Sequence, residues 1–356
     1  MQTGRPLNNL LSTPGPTRRA FGRERVATRP AVPRGGLLFV SLTVLEPGLF
    51  SLLVDFGRTG GRDRGVPVGG AADRAALALG NALLGNSPAT LALELTLAGP
   101  TLRADGDVAC VVYGAPFSVT IVGRQSVEAG TTFQLRAGDV LKIGGTPAGV
   151  RGYLCVGGGF DGPTLFGSRS ALTPIAVGAV LPCLPGATAG RSFPFVSPNV
   201  PDGPTELRVV DGPQRDWFPD DAFFTQPYTV GTAGNRMGVR LTGEPLRKRA
   251  GELVSEPVAP GAVQVTNDGL PIVLGVDGQT IGGYPKVAHV IRADLDRVAQ
   301  LRPGTAVRFR HISLEEAEVA GRDRREWLRE WLARAAVATP SRHAAPPLPG
   351  VRREFD

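Results

Sequence analysis

Two polar segments, each interrupted by glycine, carry the side chains of this sequence that are best suited to chemistry. They are residues 235–241, Asn-Arg-Met-Gly-Val-Arg-Leu, and residues 277–285, Asp-Gly-Gln-Thr-Ile-Gly-Gly-Tyr-Pro. Glycine suits tight turns and a close approach of the backbone to a ligand. Guanidinium, carboxylate and amide groups orient a small polar substrate. The two segments therefore predict a binding site for such a molecule.

Two further regions offer polar side chains. Residues 55–73 are rich in arginine, aspartate and glycine. Local sequence leaves two interpretations open: arginine forks that clamp an anion or a carboxylate, or a solvated loop whose charge pairs contribute little. Residues 256–284 place polar groups between strand-like runs. Turn chemistry is one explanation, but Gln279 and Tyr284 are not turn formers, which favours a site on a rigid β scaffold.

Several other chemistries have little support. Residues 157–162, Gly-Gly-Gly-Phe-Asp-Gly, match a dinucleotide-binding glycine pattern, but no helical pattern follows, so we predict a turn. The sequence has no GxxxxGK(S/T) P-loop and no GxSxG elbow. Three scattered histidines lack metal-ligand spacing, and we predict no metal in this chain. Three widely spaced cysteines are interpreted as buried thiols.

The charge distribution argues against a nucleic-acid partner. The formal net charge is +7, but residues 1–36 carry seven arginines and one glutamate, and residues 337–356 carry three arginines and two acids. These two segments account for the whole excess, so the body is neutral and lacks a basic face. There is no apolar run of about 20 residues and no apolar signal region. We therefore predict no membrane contact and a cytoplasmic location.

The elements that must position these residues are mainly short strands. Apolar runs at 37–45, 108–113, 118–122, 132–135 and 140–143 alternate with glycine turns, which predicts a mostly β fold. Residues 176–205 are rich in proline and glycine and are interpreted as the connection between two lobes.

Two helices are predicted. The first follows Asp73, a plausible N-cap for an Ala/Leu-rich run. The second begins at Ser313, whose Ser-Leu-Glu-Glu sequence is a capping box. An apolar stripe on this C-terminal helix is expected to pack on the body, with a partner interface as the second choice; it consists of Trp327, Leu328, Trp331, Leu332 and Ala335.

Taken in order, these motifs resemble the biotin-dependent carboxyltransferase family, also called allophanate hydrolase subunit 2. The likeness covers about residues 42–318. The matched motifs lie at residues 55–58, 65–71, 73, 81–86, 93–100, 157–161, 167–170, 235–238, 240–241, 255–256, 260–264, 269–274, 279–280, 282–285 and 293–295.

The resemblance implies two cyclophilin-like β-barrel lobes with a few short helices and a C-terminal helix. The expected division is a disordered Arg/Pro-rich extension at 1–36, a first lobe at 37–185 and a linker at 186–205. A second lobe with the C-terminal helix follows at 206–336, and a disordered tail at 337–356.

The resemblance also implies a function. Family members include the C-type subunit of 5-oxoprolinase, an enzyme that opens 5-oxoproline to glutamate at the expense of ATP. That subunit works with a subunit-1-type, kinase-inhibitor-like partner and a third subunit. We therefore expect a subunit of an ATP-dependent 5-oxoprolinase, active in complex on a small amide, with the ATP used by the complex.

Side-chain chemistry assigns hypothetical roles at the matched motifs. Asp277 is expected to be the acid/base or orienting carboxylate, Arg236 to clamp an anion, and Asn235 and Gln279 to hold an amide. Substrate-binding roles are predicted for Arg58, Asp73, Asn81, Glu94, Gln264, Thr280 and Tyr284.

Two alternatives remain open at this point. One is a carboxyltransferase component that moves a carboxyl group from carboxybiotin to urea or a similar amide. The other is a non-catalytic regulatory partner of a kinase-inhibitor-like protein. Departures from the family pattern motivate the second alternative, chiefly in residues 177–198, where little of the usual glycine-rich segment is kept.

Overall fold

The computed structural model describes residues 40–186, 190–193, 197 and 199–338. The predicted extension at 1–36 lies outside these residues, as do nearly all of the predicted tail at 337–356 and the first residues of the strand expected at 37–45. Strands dominate the described part of the chain, so the mostly β fold expected from the sequence is confirmed.

The first lobe contains eleven strands arranged in two antiparallel sheets. The six-stranded sheet has the order β11-β1-β4-β9-β6-β7, and the five-stranded sheet has the order β2-β3-β10-β5-β8. The strands are β1 (Val40–Glu46), β2 (Phe50–Val54), β3 (Ala92–Thr96), β4 (Thr101–Ala104), β5 (Val108–Gly114), β6 (Val119–Ile121), β7 (Gln125–Val127), β8 (Phe133–Leu135), β9 (Val140–Ile143), β10 (Arg151–Val156) and β11 (Val180–Cys183).

Strands β5 and β10 are buried along their whole length because both faces of the five-stranded sheet are covered. Leu93, Val112 and Leu154 on one face pack against the six-stranded sheet. The other face packs under helix α1 (Arg74–Leu83). Gly80 permits this contact, since a Cβ there would lie 2.9 Å from the sulfur of Cys155. The three cysteines are buried and free, as predicted.

The second lobe is a closed barrel of seven strands, β12-β19-β16-β17-β14-β13-β20, closed by the parallel pair β12–β20. A separate pair, β15 and β18, lies outside it. The strands are β12 (Thr205–Asp211), β13 (Tyr228–Val230), β14 (Gly238–Thr242), β15 (Glu256–Pro257), β16 (Ala262–Val265), β17 (Pro271–Leu274), β18 (Ile281–Gly282), β19 (Lys286–Val290) and β20 (Ala306–His311), with short helices α2 (Ala222–Thr225) and α3 (Leu295–Val298).

Helix α4 (Leu314–Ala336) contacts both lobes. It begins with the predicted capping box: the Ser313 hydroxyl accepts from the Glu316 N–H, and the Glu316 carboxylate accepts from the Ser313 N–H. Ala317 near its start contacts the second lobe. The predicted apolar stripe, from Trp327 to Ala335, packs with α1 on the first lobe, which confirms that it covers the body.

Strand β11 lies within the proline-rich region 176–205 that showed little periodicity. Pro182 lacks a backbone donor, which is tolerated because β11 is an edge strand. The turn expected at residues 157–162 is present after β10, with no helix following. Among the residues that the structure describes, no helix is both long and apolar enough to span a membrane.

Candidate active site between the two lobes

A cavity of about 480 Å³ lies between the two lobes. Thr96 and Arg151 line it from the first lobe, and Asn235, Arg236 and Asp277 line it from the second. Most of its other wall residues are apolar. An apolar cleft with a few convergent polar groups is the usual form of a small-molecule site. We call it the Arg236 cavity.

The two polar segments recognised in the sequence are joined at this cavity by backbone hydrogen bonds. The Asp277 N–H donates to the Arg236 carbonyl at 3.1 Å, and the Gly275 N–H donates to the Met237 carbonyl at 2.8 Å. Gly275 is required for this approach, since a Cβ there would lie 2.3 Å from the Arg236 carbonyl oxygen. Strands β14 and β17 pair directly beyond these turns and fix their spacing.

Arg236 forms the centre of a buried charge network. Its Nε and Nη2 donate to the two carboxylate oxygens of Asp277 at 2.6 and 3.0 Å. Its Nη1 pairs with Glu94 on β3, and its Nη2 also donates to the Gly70 carbonyl at 2.7 Å. Such planar, bidentate pairing is specific to arginine. Arg236 therefore connects the lobes and orients Asp277, whose side chain is 32% exposed.

Glu94 is the buried acceptor of this network. It accepts from the Tyr153 hydroxyl and from the Ala72 N–H, each at 2.9 Å, and pairs with Arg151 Nη1 at 3.4 Å. Burial favours its protonated form, but Arg236 and Arg151 outweigh burial and hold the pKa of Glu94 below its usual value. Glu94 is therefore a carboxylate at neutral pH.

Two donors at the cavity are left without partners among the described residues. Arg151 uses only Nη1, for Glu94 and for Thr96, and its buried Nε has no acceptor. Asn235 accepts the Met237 N–H at 2.8 Å through Oδ1, which leaves its Nδ2 group unused. Arg151 Nε is buried, and buried donors are rarely left unsatisfied, so it is suited to a ligand oxygen; Asn235 is exposed, and its amide is free to donate to a ligand at the surface of the cavity.

Asp73 is buried at the start of α1 and connects this helix to the second lobe. Its carboxylate accepts from Ala76 N, from Asn199 Nδ2 and from Gln300 Nε2, at 3.0, 2.8 and 2.8 Å. Burial and the nearby Asp296 raise its pKa to about 7, although the donors from Gln300 and Ala76 oppose this. The geometry makes Asp73 a helix cap and a joint between the lobes, and it does not line the Arg236 cavity.

Arg58 and Asn81, two other predicted substrate-binding residues, lie elsewhere in the first lobe. Arg58 is buried and donates to the Ser170 carbonyl. A Cβ built at Gly69 would lie 2.6 Å from Arg58 Nη1 and 3.7 Å from Asp277 Oδ1, so Gly69 lies next to both side chains. Asn81 lies near the end of α1, where its amide donates to the Thr90 carbonyl at 2.8 Å. Neither lines the Arg236 cavity.

The remaining predicted residues belong to the second lobe but do not line the Arg236 cavity. Gln279 Nε2 lies 3.5 Å from Gln264 Oε1, and the buried Gln264 Nε2 has no partner among the described residues. Close by, buried Lys286 pairs with Glu256, which also accepts from Gln214 at 2.8 Å. We call these five residues the glutamine–lysine cluster.

Thr280 and Tyr284 belong to the same side of the barrel as this cluster. Thr280 is buried, and its carbonyl accepts from the Val258 N–H at 3.0 Å. Tyr284 and Gln279 line a separate cavity of about 370 Å³ beside Trp217 and Lys248. The structure therefore brings Asn235, Arg236, Asp277 and Glu94 together and places Gln264, Gln279, Thr280 and Tyr284 apart from them.

Sequence reasoning missed Arg151, Tyr153, Lys286 and Gln300. A charge at the start of a strand that is otherwise apolar is a usable signal, and Arg151 and Lys286 both fit it. Gln300 follows a short helix in a polar stretch, and no sequence feature distinguishes it. No group of three or more His, Cys, Asp or Glu side chains that could hold a metal ion occurs within the described ranges.

Comparison with known proteins defines the class of this chain. It belongs to the carboxyltransferase family, because the family model described as "Carboxyltransferase domain, subdomain A and B" matches residues 64–311. The resemblance inferred from the motifs is thereby confirmed.

The individual relatives include proteins named for two different enzymes, 5-oxoprolinase and urea carboxylase. The chain is 33% identical over 303 residues to the C-type subunit of 5-oxoprolinase from Escherichia coli strain K12, and the match covers 81% of this chain and 97% of that protein. A crystal structure of TTHA0988 is 34% identical, with a TM-score of 0.70, over 78% of this chain and 57% of that one. The urea carboxylase structure of Kluyveromyces lactis is 27% identical, with a TM-score of 0.73, over 82% of this chain and 29% of that one. This chain thus spans little more than half of TTHA0988 and under a third of the urea carboxylase.

Proposed function

We propose that this chain is the substrate-binding subunit of an ATP-dependent 5-oxoprolinase and that 5-oxoproline binds in the Arg236 cavity. The E. coli relative, named as a 5-oxoprolinase subunit, supports this choice, since the likeness covers almost all of that protein. The observation that carries the proposal is the unpartnered, buried Nε of Arg151, a residue that lines the same cavity as Arg236 and Asp277.

The polar groups of 5-oxoproline match these side chains. The substrate has a carboxylate and a cyclic amide. Arg151 would bind the carboxylate through Nε, in a charge-assisted hydrogen bond. The Nδ2 group of Asn235 would donate to the amide carbonyl, and Asp277 would accept the ring N–H. A donor aimed at the carbonyl oxygen stabilises the negative charge that develops there when the amide is attacked.

Partners complete the proposed enzyme. The chain would act in a cytoplasmic complex with a subunit-1-type, kinase-inhibitor-like protein and a third 5-oxoprolinase subunit. The complex would use ATP, and this chain offers no P-loop for it. The apolar walls of the Arg236 cavity would exclude water from the amide. The proposal also includes the division of the chain into a first lobe at 37–185 and a second lobe at 206–336.

The test is ATP-dependent release of glutamate by the complex co-purified with its neighbouring subunits. Omitting this chain should abolish the release. In Arg151→Gln, the KM for 5-oxoproline should rise about tenfold or more, because a hydrogen bond to a charged group contributes roughly 1.5–3 kcal/mol. Arg151→Lys keeps the charge beside Glu94 and should show a smaller rise.

A matched control separates binding from folding. Arg103→Gln changes an exposed arginine on β4 of the same lobe and should leave KM unchanged. Thermal unfolding of each variant shows whether it is folded. The proposal is wrong if a folded Arg151→Gln complex has an unchanged KM, or if the complete complex releases no glutamate.

A second candidate is carboxyl transfer from carboxybiotin to an amide such as urea. The Kluyveromyces lactis urea carboxylase structure favours it, because the chain aligns with that protein at a TM-score of 0.73. This function requires a biotinylated carrier. Turnover that stops when the carrier is removed would support it, and glutamate release without any carrier would exclude it.

A further inference from the structure

A second cavity, of about 540 Å³, also borders both lobes and is lined by arginine. It shares no lining residue with the Arg236 cavity. Its charged residues are Arg74 on α1, Arg292 before α3, Arg324 and Arg325 on α4, and a single acid, Asp296. We call it the basic cavity.

The single acidic residue of the basic cavity, Asp296, already has partners within the protein. Asp296 accepts the Arg74 backbone N–H at 3.0 Å and pairs with Arg324 at 3.0 Å. Arg324 also donates to Asn199 at 2.8 Å and covers the ring of Trp327. The charges of Arg74, Arg292 and Arg325 are left without a carboxylate partner in the part of the chain that the structure describes.

Arg292 and Arg325 are also free of hydrogen bonds. Both are exposed at the mouth of the basic cavity, and neither forms an ion pair or a side-chain hydrogen bond with another described residue. Arg74 lies deeper, where its Nη2 donates to the Phe56 carbonyl at 2.7 Å. Burial, and next the charge of Arg292, lower the pKa of Arg74, and the charges of Asp296 and Asp55 oppose this only in part.

The shape of the basic cavity suits a small anion with an apolar part. Its volume is in the range of small-molecule sites. Phe56, Val68 and Leu328 form apolar walls beside the arginines. A gap of about 50 Å³ is lined both by Ala72 and Pro260 of the basic cavity and by residues of the Arg236 cavity. A ligand in one cavity would therefore lie close to a ligand in the other.

We propose that the basic cavity binds a polyphosphate, in the form of a nucleoside triphosphate or of pyrophosphate. Three arginines that form no ion pair with a described residue match an anion of several charges, and the guanidinium fork binds phosphate oxygens in pairs. Arg292 and Arg325 hold the terminal phosphates, and Arg74 closes the inner end. This site goes beyond the proposed function and does not rest on it, because binding is a property of this chain alone.

The test measures binding of ATP and of pyrophosphate to the full chain by isothermal titration calorimetry at one fixed ionic strength. The double variant Arg292→Gln/Arg325→Gln should weaken binding at least tenfold. Arg292→Lys/Arg325→Lys keeps the charges but not the forks and should weaken it less. The control Arg103→Gln/Arg308→Gln removes two exposed arginines, one from each lobe, and should leave binding unchanged.

The possible outcomes distinguish a bound nucleotide from a free polyphosphate, and both of these from the absence of a polyphosphate site. ATP binding tighter than pyrophosphate binding identifies a nucleotide held also by the apolar walls, whereas equal affinities identify a free polyphosphate. Either result supports the site if the double variant loses it and the control does not. The proposal is overturned if neither ligand binds, if the control variant loses binding equally, or if only a glutamate-rich peptide binds. Absence of binding would leave the 5-oxoproline proposal untouched, since that proposal is tested by glutamate release.

Discussion

The Arg236 network and the glutamine–lysine cluster satisfy their buried charges in different ways. In the network, Glu94 pairs with Arg236 and Arg151, Asp277 pairs with Arg236, and both arginines are buried. In the cluster, buried Lys286 pairs with a single carboxylate, Glu256, whose side chain is 36% exposed. The network therefore contains a carboxylate, Glu94, that is shut off from water, whereas the carboxylate of the cluster remains partly solvated.

The difference shows which polar groups each region can offer to a ligand. The network uses its charges to join two lobes and leaves the partly exposed carboxylate of Asp277 and the spare donors of Arg151 and Asn235 at the cavity. The cluster lies within one lobe and leaves an amide donor, Gln264 Nε2, unmatched. Loss of a network residue should therefore affect the joint between the lobes, whereas loss of a cluster residue should have local effects.

The largest effect is expected for Glu94→Ala. This change removes the buried carboxylate with which Arg236 and Arg151 pair, and breaking a buried ion pair costs about 3–5 kcal/mol. The free energy of unfolding in urea measures it. Glu94→Gln keeps the shape and should cost less, and Glu46→Ala, at an exposed position on β1, should change stability by no more than about 0.5 kcal/mol. A loss below about 1 kcal/mol for Glu94→Ala would contradict the importance of the network.

In the glutamine–lysine cluster, removing Glu256 should lower the free energy of unfolding more than removing Lys286. Glu256→Ala leaves the buried Lys286 ammonium unpaired and should cost about 1–3 kcal/mol. Lys286→Met removes the buried charge and leaves Glu256 in contact with water, so its cost should stay within about 1 kcal/mol. Urea unfolding of the two variants side by side tests this order. Equal losses, or the reverse order, would show that Lys286 is not held by Glu256.

Asp73 should make the joint between the lobes sensitive to pH. Its pKa is raised to about 7 in the folded state from 3.8, so the folded state binds the proton more tightly. The free energy of unfolding should therefore fall as pH rises from about 4 to about 7 and stay level above that.

The variant Asp73→Ser tests this dependence, because serine keeps the N-cap of α1 and does not titrate. Urea unfolding across the pH range, for wild type and variant, isolates Asp73 by difference. The stability of wild type relative to the variant should decline between pH 4 and 7. A difference that stays constant with pH would rule out the raised pKa.

The smallest change in stability is expected for Gln264→Leu. The variant removes a buried amide whose Nε2 has no partner among the described residues, so the free energy of unfolding should change by no more than about 1 kcal/mol. Glutamate release by the complex gives the second readout. Full activity would remove Gln264 from the predicted substrate-binding residues, whereas lost activity at unchanged stability would add the glutamine–lysine cluster to the site.

Much of the fold could be predicted because local pattern and tertiary structure agree. The apolar runs at 108–113 and 140–143 became β5 and β9, and the Ser313 capping box begins α4.

The site was harder to predict because its geometry depends on tertiary contacts. Residues 235–241 and 277–285 meet as the motifs suggested, since β14 and β17 pair beside them. Sequence spacing placed Gln279 with Asp277, but Asp277 lines the Arg236 cavity, whereas the Gln279 side chain lies beside Gln264 and lines a separate cavity. Arg151 and Gln300 act across the two lobes, and a local pattern cannot report which residue lies opposite in another lobe.

Gln300 has a consequence for synthesis of the chain. Its side chain accepts the Val150 and Arg151 N–H groups and donates to the Arg151 carbonyl and to Asp73, which precedes it by 227 residues. The first lobe therefore cannot complete its hydrogen bonds until residue 300 has left the ribosome. Contacts over such long sequence separations slow folding, and the backbone groups of Val150 and Arg151 at the start of β10 lack their Gln300 partner in the meantime. Nascent chains arrested before residue 300 should accordingly depend on chaperones more than the finished chain does.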